Sequence, residues 1–298
     1  KVNSAVQTNN DLVSIRLKTL IDLAKSISML KLRRHQIQAG QNGEYVSRFK
    51  GRGMEFDETR IYQPGDDIRS IDWRVTARSD KTHTKIYREE RERPVFISVD
   101  YRPAMAFATR GVFKSVQASK IAGLLAWSAH ANGDRIGGQI FNEHGCQEIK
   151  PKGGKHAVLH FLNALVKPDC VNDANISLER VLTRLIQHTR PGSLVYVISD
   201  FRGLTETAEL HLSKLGRHCE VVLIHVYDPL ESQLPTKGRF RFTDAIRDIV
   251  VDSSDKQRLA KYQQRFQQQQ LHLQTLSKKW RMTLLQCSTT DDPLEVIR

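Results

Sequence analysis

The chain has 298 residues, 39% hydrophobic and 27% charged, with 17 glycines and 9 prolines. That is enough to bury a substantial core, and it excludes a disulfide-stapled miniature, a disordered chain and a collagen-like repeat. The net charge of +13 spreads as +6 over residues 1–93, +4 over 94–200 and +3 over 201–298, so it reads as solvated surface compatible with acidic partners, not as a basic tail.

No helix-turn-helix, zinc-finger or aromatic RNA-binding motif accompanies the charge, and nucleic acid is not the expected partner. The longest apolar runs, 121–127 and 194–198, fall far short of the roughly 18–20 residues that span a bilayer, so no membrane span is expected. The first residues carry neither the charged start nor the apolar run of a secretory signal, and the expectation is a cytoplasmic protein. Cys146, Cys170, Cys219 and Cys287 contain no CxxC pair and read as reduced thiols.

In chain order, Leu12, Ile15, Leu20, Leu23, Ile27 and Leu30 recur near the helical period, predicting an amphipathic helix over 11–32 with Asp11 as N-cap. Lys31, Arg33, Arg34 and His35 follow, where positive charge suits the helix dipole. Residues 40–93 change to glycines, charges and short apolar runs and predict a small β-rich subdomain. Within it, Gln63-Pro64-Gly65-Asp66 has the residue order of a type II turn, whose third position needs positive φ. Residues 82–90 alternate as a strand, and 95–99 form an apolar strand ending at Asp100.

Beyond Asp100 strands and helices alternate. Helices are expected over 113–131, 156–166, 177–188, 205–215 and 256–280. Strands are expected over 135–141, 194–199, 220–226 and 282–286, and a hairpin from 239–242 and 248–252. Such alternation predicts a mainly parallel sheet with helices on both faces. The glutamines of 263–270 read as a solvated helix face.

In open parallel sheets ligands bind beyond the carboxyl ends of the strands, where Asp100 and Asp200 stand. Two such acids suggest a von Willebrand factor type A-like (Rossmann-like) fold, whose metal-dependent adhesion site uses an Asp-x-Ser-x-Ser loop, a Thr and a further Asp around magnesium. The chain retains Asp100 and Asp200 only. Arg102 and Ala104 replace the serines and Ala174 the threonine. The expectation is a degenerate, metal-free site with Arg102 bridging Asp100 and Asp200, its guanidinium supplying the charge a metal would otherwise bring.

Residues 51–78, GRGMEFDETRIYQPGDDIRSIDWRVTAR, closely resemble the signature of the bacterial domain-of-unknown-function family fifty-eight. The likeness continues through Glu89-Glu90-Arg91-Glu92, the strand to Asp100, Gly133-Asp134-Arg135-Ile136-Gly137 and Ile198-Ser199-Asp200-Phe201. The resemblance implies a von Willebrand type A-like domain behind the signature segment and an association with MoxR-type AAA+ ATPases. It further implies a non-enzymatic adaptor or co-chaperone joining the ATPase to client proteins.

Arg60, Arg69, Arg74 and Arg78 alternate with Asp57, Glu58, Asp66, Asp67 and Asp72. Three readings stay open for them: an ion-pair network anchored by Tyr62 and Trp73, a partner-docking surface, or acids that ligate metal or catalyse. As a docking surface the segment contributes Arg60, Tyr62, Asp66, Asp67, Arg69, Asp72, Trp73 and Arg74, beside Asp100, Arg102 and Asp200 at the strand ends. The expected organisation is a helix over 1–39, the signature subdomain over 40–93, and the type A-like domain over 94–298 with a hairpin insertion near 238–252. A metal-dependent enzyme acting on phosphate-containing substrates and a nucleic-acid-binding protein are the rival functions. No phosphate-loop spacing, GxSxG elbow or HExxH pair is present, and no cofactor is expected.

Overall fold

A computed structural model of the chain describes residues 12–29, 54–79, 81–89, 93–172, 176–232, 239–243, 248–252 and 256–298. Contacts divide the chain into two compact units, Gln36–Glu92 on the one hand and Lys1–His35 with Arg93–Arg298 on the other.

The N-terminal stretch differs from the continuous helix expected over 11–32. Helix α1 covers only Leu17–Asp22, and the chain then tightens into a 3-10 helix, Leu23–Met29. Asp11 and residues 30–32 lie outside the described residues. The tightening has a packing reason. Gly123 of the neighbouring buried helix has no Cβ, and where one would stand Leu20 and Leu23 approach to 3.0 and 3.3 Å. Leu23, where the 3-10 helix begins, thus shares this contact with Leu20 of α1, which is fully buried. Tertiary contact overrides the local α-helical period here.

In the unit Gln36–Glu92, β1 (Met54–Ile61) pairs antiparallel with a later strand, His83–Glu89, with an irregularity between Phe56 and Glu58. Between them, Asp66 N–H donates to the Gln63 carbonyl at 3.0 Å and Gly65 takes φ +110°, as the Pro64-Gly65 turn requires. A short helix not expected from the β-like texture, α2 (Trp73–Ser79), follows. Asp72 creates it by accepting from the Arg74 and Val75 amides at 3.0 and 3.2 Å, the N-cap arrangement that satisfies orphan donors of a first turn. The strand His83–Glu89 is β2.

The larger unit is a seven-stranded sheet. In chain order its elements are β3 (Pro94–Asp100), α3 (Lys114–Ala131), β4 (Arg135–Asn142), β5 (Gly145–Lys152), α4 (Lys155–Val166), β6 (Val171–Asn172) and α5 (Leu178–His188). There follow β7 (Leu194–Ser199), α6 (Glu206–His218), β8 (Glu220–Tyr227), α7 (Pro229–Ser232), the hairpin β9 (Arg239–Thr243) and β10 (Asp248–Asp252), α8 (Lys256–Lys279), β11 (Thr283–Ser288) and α9 (Pro293–Val296). The strand order is β11-β8-β7-β3-β4-β5-β6. The first five are parallel neighbours, while β5 and β6 add antiparallel at one edge. That antiparallel extension was not expected from the sequence; the charges and Pro151 of β5 suit a strand covered on its outer side only by the two-residue β6.

Side chains alternate across the sheet. Val95, Ile97 and Val99 face a core shared with α1, α3 and α4, whereas Phe96, Val195 and Val197 face a core shared with α5, α6 and α8. Helix α3 is buried on nearly all sides, as befits the middle of such a layer. At Gly138 a Cβ would stand 2.1 Å from the Ile97 carbonyl oxygen, so only glycine allows β3 and β4 to meet there. Among the described residues no helix is long and apolar enough to cross a membrane.

Candidate functional site

The parallel strands deliver their carboxyl ends to one edge of the sheet, and the acids expected there are buried: Asp100 at the end of β3 and Asp200 just after β7. Asp100 is chelated from its own loop. Arg102 donates from Nε to both carboxylate oxygens at 3.0 and 3.1 Å, from Nη2 to Oδ2 at 2.7 Å and from its amide to Oδ1 at 2.9 Å. Ser199 Oγ adds a 2.6 Å bond, and the guanidinium lies 5.7 Å from the Phe141 ring centroid. Burial pushes the Asp100 carboxyl up, with Arg102 opposing it.

Arg102 does not bridge the two acids evenly, as the sequence suggests. Its Nη2 is 3.9 Å from Asp200, too far for a hydrogen bond. Asp200 takes its cations elsewhere: Lys114 Nζ at 3.1 Å and Arg202 Nε at 3.4 Å. Burial alone would raise its carboxyl, but Lys114, Arg202 and the Arg202 amide outweigh it and hold the group below its ordinary value. A third acid completes the cluster. Glu231 of α7 accepts from Lys114 at 3.0 and 3.3 Å and from Arg202 Nη2 at 2.6 Å.

Three buried or nearly buried carboxylates thus meet three cations. Lys114, the first residue of α3, has a side chain with no exposed surface, while half of the Arg202 side chain is exposed. Glu231 also accepts from the Asp228 amide, and Asp228 in turn holds Thr109 and Thr289 from two other loops. Gln269 of α8 donates to the Asp200 carbonyl at 2.9 Å, so this glutamine, expected on a solvated face, fixes the helix to the site.

The two strand ends repeat one local device, Asp100-Tyr101-Arg102 and Asp200-Phe201-Arg202. In each, the arginine amide donates back to Oδ1 of the aspartate, at 2.9 and 3.0 Å, a side-chain turn of the Asx kind. Phe201 carries it at φ +54°, an uncommon conformation for a bulky residue of the sort that persists only where surroundings over-determine it. Nearby His225 of β8 is buried among Phe201, Tyr227 and Phe266, and its Nδ1 has no hydrogen-bond partner among the described residues. Burial holds its imidazole down to about 4.

Asp100, Asp200, Glu231 and Ser199 supply the oxygen chemistry that a hard cation needs, but each carboxylate is already matched by an arginine or by Lys114. Among the described residues no group of three His, Cys, Asp or Glu side chains converges to hold a metal. Asp100, Asp200 and Glu231 therefore meet protein cations in this arrangement. Ala104 lies in the 3-10 turn Pro103–Met105 beside this cluster; Ala174 is outside the described residues.

The signature residues divide into two kinds. Arg60 pairs with Asp66 at 2.8 Å, the Tyr62 hydroxyl donates to the Asp66 carbonyl at 3.3 Å, and Lys85 lies 3.7 Å from Asp72. Asp67 caps the turn by accepting from the Arg69 amide. Arg69, Arg74 and Arg78 are exposed and make no ion pair among the described residues. Trp73, expected to anchor the segment, is instead 67% exposed, as is Ile68 at 66%. Among the described residues Asp66, Asp67 and Asp72 do not gather into a ligand cluster; they are spent on turns, a helix cap and the pairs with Arg60 and Lys85.

Lys114, Glu231 and Arg202 were not singled out in the sequence. Signals existed for two: a lysine opening an otherwise apolar helix, against the helix dipole, and the repeated Asp-aromatic-Arg. Glu231 had none, since its partners come from distant strands.

A family model described as "Protein of unknown function DUF58" matches residues 58–272. Uncharacterized proteins of Mycobacterium bovis and Mycobacterium tuberculosis are 28% identical over 236 residues, covering 78% of this chain and 74% of each relative. Two solved structures are also similar. A conserved hypothetical protein BatB of Bacteroides thetaiotaomicron has 14% identity and a TM-score of 0.47, covering 69% of this chain and 95% of its own. An aerotolerance-related membrane protein of Bacteroides fragilis has 14% identity and a TM-score of 0.44, covering 69% and 94%.

Proposed function

Because the chain belongs to the DUF58 family of proteins of unknown function, we propose that it is a protein-interaction module, an adaptor or co-chaperone that works with a MoxR-type AAA+ ATPase in protein maturation or complex assembly. The observation that carries this reading is the charge balance at the strand ends. Asp100, Asp200 and Glu231 are each held by Arg102, Lys114 or Arg202, so none of these three is poised as a general base or metal ligand. His225 is buried and neutral. What remains is a set of ordered loops suited to recognition, and the signature unit, for its part, offers exposed Trp73, Arg69 and Arg74, residue types that dominate binding hot spots.

In this reading the larger unit is a von Willebrand type A-like domain whose adhesion site has exchanged its metal for protein cations. It acts in the cytoplasm without a cofactor, and client proteins meet it at the strand-end loops. The test is affinity capture from native lysate with and without ATP. The expected result is a MoxR-type ATPase retained in a nucleotide-dependent way and lost in Arg102→Ala, with circular dichroism establishing that the variant is folded. Recovery of nucleic acid, or a stoichiometric metal in the purified protein, with no ATPase would overturn it.

A further inference from the structure

We infer that the Lys114 ammonium is the protein's own internal cation, holding the loops after β7 and β8 together at a place where a divalent ion would otherwise be needed. The inference rests on the reading above that the native site takes no metal, and it adds which group stands in for one. Nζ has Asp200 Oδ2 at 3.1 Å and Glu231 Oε1 and Oε2 at 3.0 and 3.3 Å, so three carboxylate oxygens from two separate loops converge on one buried positive centre. The same ammonium lies 5.9 Å from the Phe107 ring centroid, which brings the loop after β3 into the arrangement.

Two independent facts mark this as a cation position and not an incidental ion pair. Lys114 starts a helix whose other first-turn neighbours, Val116 and Gln117, are buried, and a lysine there opposes the helix dipole. It is retained in a fully buried setting only because paired charges surround it. The ammonium also lies among buried carboxylates: Asp100, Asp200 and Glu231 face Arg102, Lys114 and Arg202, and Asp228, fully buried, donates its amide to Glu231 beside them. Deleting the ammonium therefore removes one positive charge from a buried cluster rich in carboxylate oxygens.

That state has a definite chemistry. Calcium and manganese bind oxygen donors and fill remaining positions with water. Removing the lysine side chain opens the room that the ion and its waters need. The consequence for the native protein is that its strand-end surface is ordered whatever the divalent-ion supply, because the cation is covalently attached.

The experiment uses the full chain and Lys114→Ala, titrated with MnCl2 against EDTA, with melting temperature and calorimetry as readouts. Wild type is expected to ignore manganese. Lys114→Ala is expected to melt lower in EDTA and to regain several degrees in manganese, with a dissociation constant below about 1 mM, the weak end of protein oxygen sites. Adding Glu231→Gln should abolish that gain. Saturable manganese binding by wild type would overturn the metal-free reading itself. A Lys114→Ala chain that folds but ignores manganese, or that folds in neither buffer while Lys114→Met folds in both, would overturn the inference alone.

Discussion

The two acid-rich regions of the molecule handle carboxylates in opposite ways. At the strand ends Asp100, Asp200 and Glu231 are taken out of water and matched with cations, two of which, Arg102 and Lys114, are themselves largely or wholly buried. In the signature unit Asp66, Asp67 and Asp72 are given to backbone amides in a turn, a 3-10 start and a helix cap. The unit Gln36–Glu92 contains equal numbers of basic and acidic residues, eleven of each, yet Arg69, Arg74 and Arg78 are left exposed without ion pairs among the described residues. Balanced composition thus gives a locked cluster in one region and an outward-facing cationic, partly apolar surface in the other. The difference arises from where the arginines turn: Arg102 and Arg202 give both amide and guanidinium to the buried strand-end acids, whereas Arg69 and Arg74 give only their amides to Asp67 and Asp72 and leave their side chains exposed.

The comparison breaks if the strand-end acids prove as replaceable as the signature acids. Asp200→Ala takes one of the two carboxylates from the Lys114 ammonium, which has 0% exposure and keeps only Glu231, and is expected to cost roughly 3–5 kcal/mol in urea unfolding. A loss under 1 kcal/mol would mean the cluster is not locked. A pH titration of stability sharpens the same point. His225 has a folded value of about 4 against an ordinary 6.5, so the unfolded chain binds more protons below pH 6.5. Its contribution is complete above that pH and is lost as pH falls toward 4, a change of about 3 kcal/mol. His225→Phe, among Phe201, Tyr227 and Phe266, should flatten this limb. Asp200, whose folded value is lowered, keeps its contribution until the pH falls below its ordinary carboxylate range.

In the signature unit the expected effects are smaller. Asp72→Ala removes the cap of α2 and should cost about 1 kcal/mol, as should Gly65→Ala at φ +110°, where a side chain is strained. Trp73→Ala and Arg74→Ala should change stability by less than about 0.5 kcal/mol while weakening capture of the ATPase. If they unfold the protein instead, their exposure has been misjudged as a docking feature.

Much of this was legible in the residues because it is local. The Pro64-Gly65 turn, the strands ending at Asp100 and Asp200, and the helices over 114–131, 178–188 and 206–218 follow from turn chemistry and periodicity, which are set by residues a few positions apart. Ser177 and Thr205 even cap their helices with their own side chains. Helix α2 escaped because one aspartate cap and about two turns leave little periodic trace. Strand β5, next to the edge, escaped because its partner decides it.

The sequence by itself determined the alternation of strands and helices, the parallel sheet, the family and the two acids that its strand ends expose. Only the tertiary structure decided what those acids hold. Lys114 and Arg202 each join Asp200 to Glu231, with Lys114 and Glu231 standing 86 and 31 positions from Asp200 in the chain. Charge pairing acts through space and is strengthened by burial, so its partners are chosen by the packing of the sheet and not by spacing along the chain.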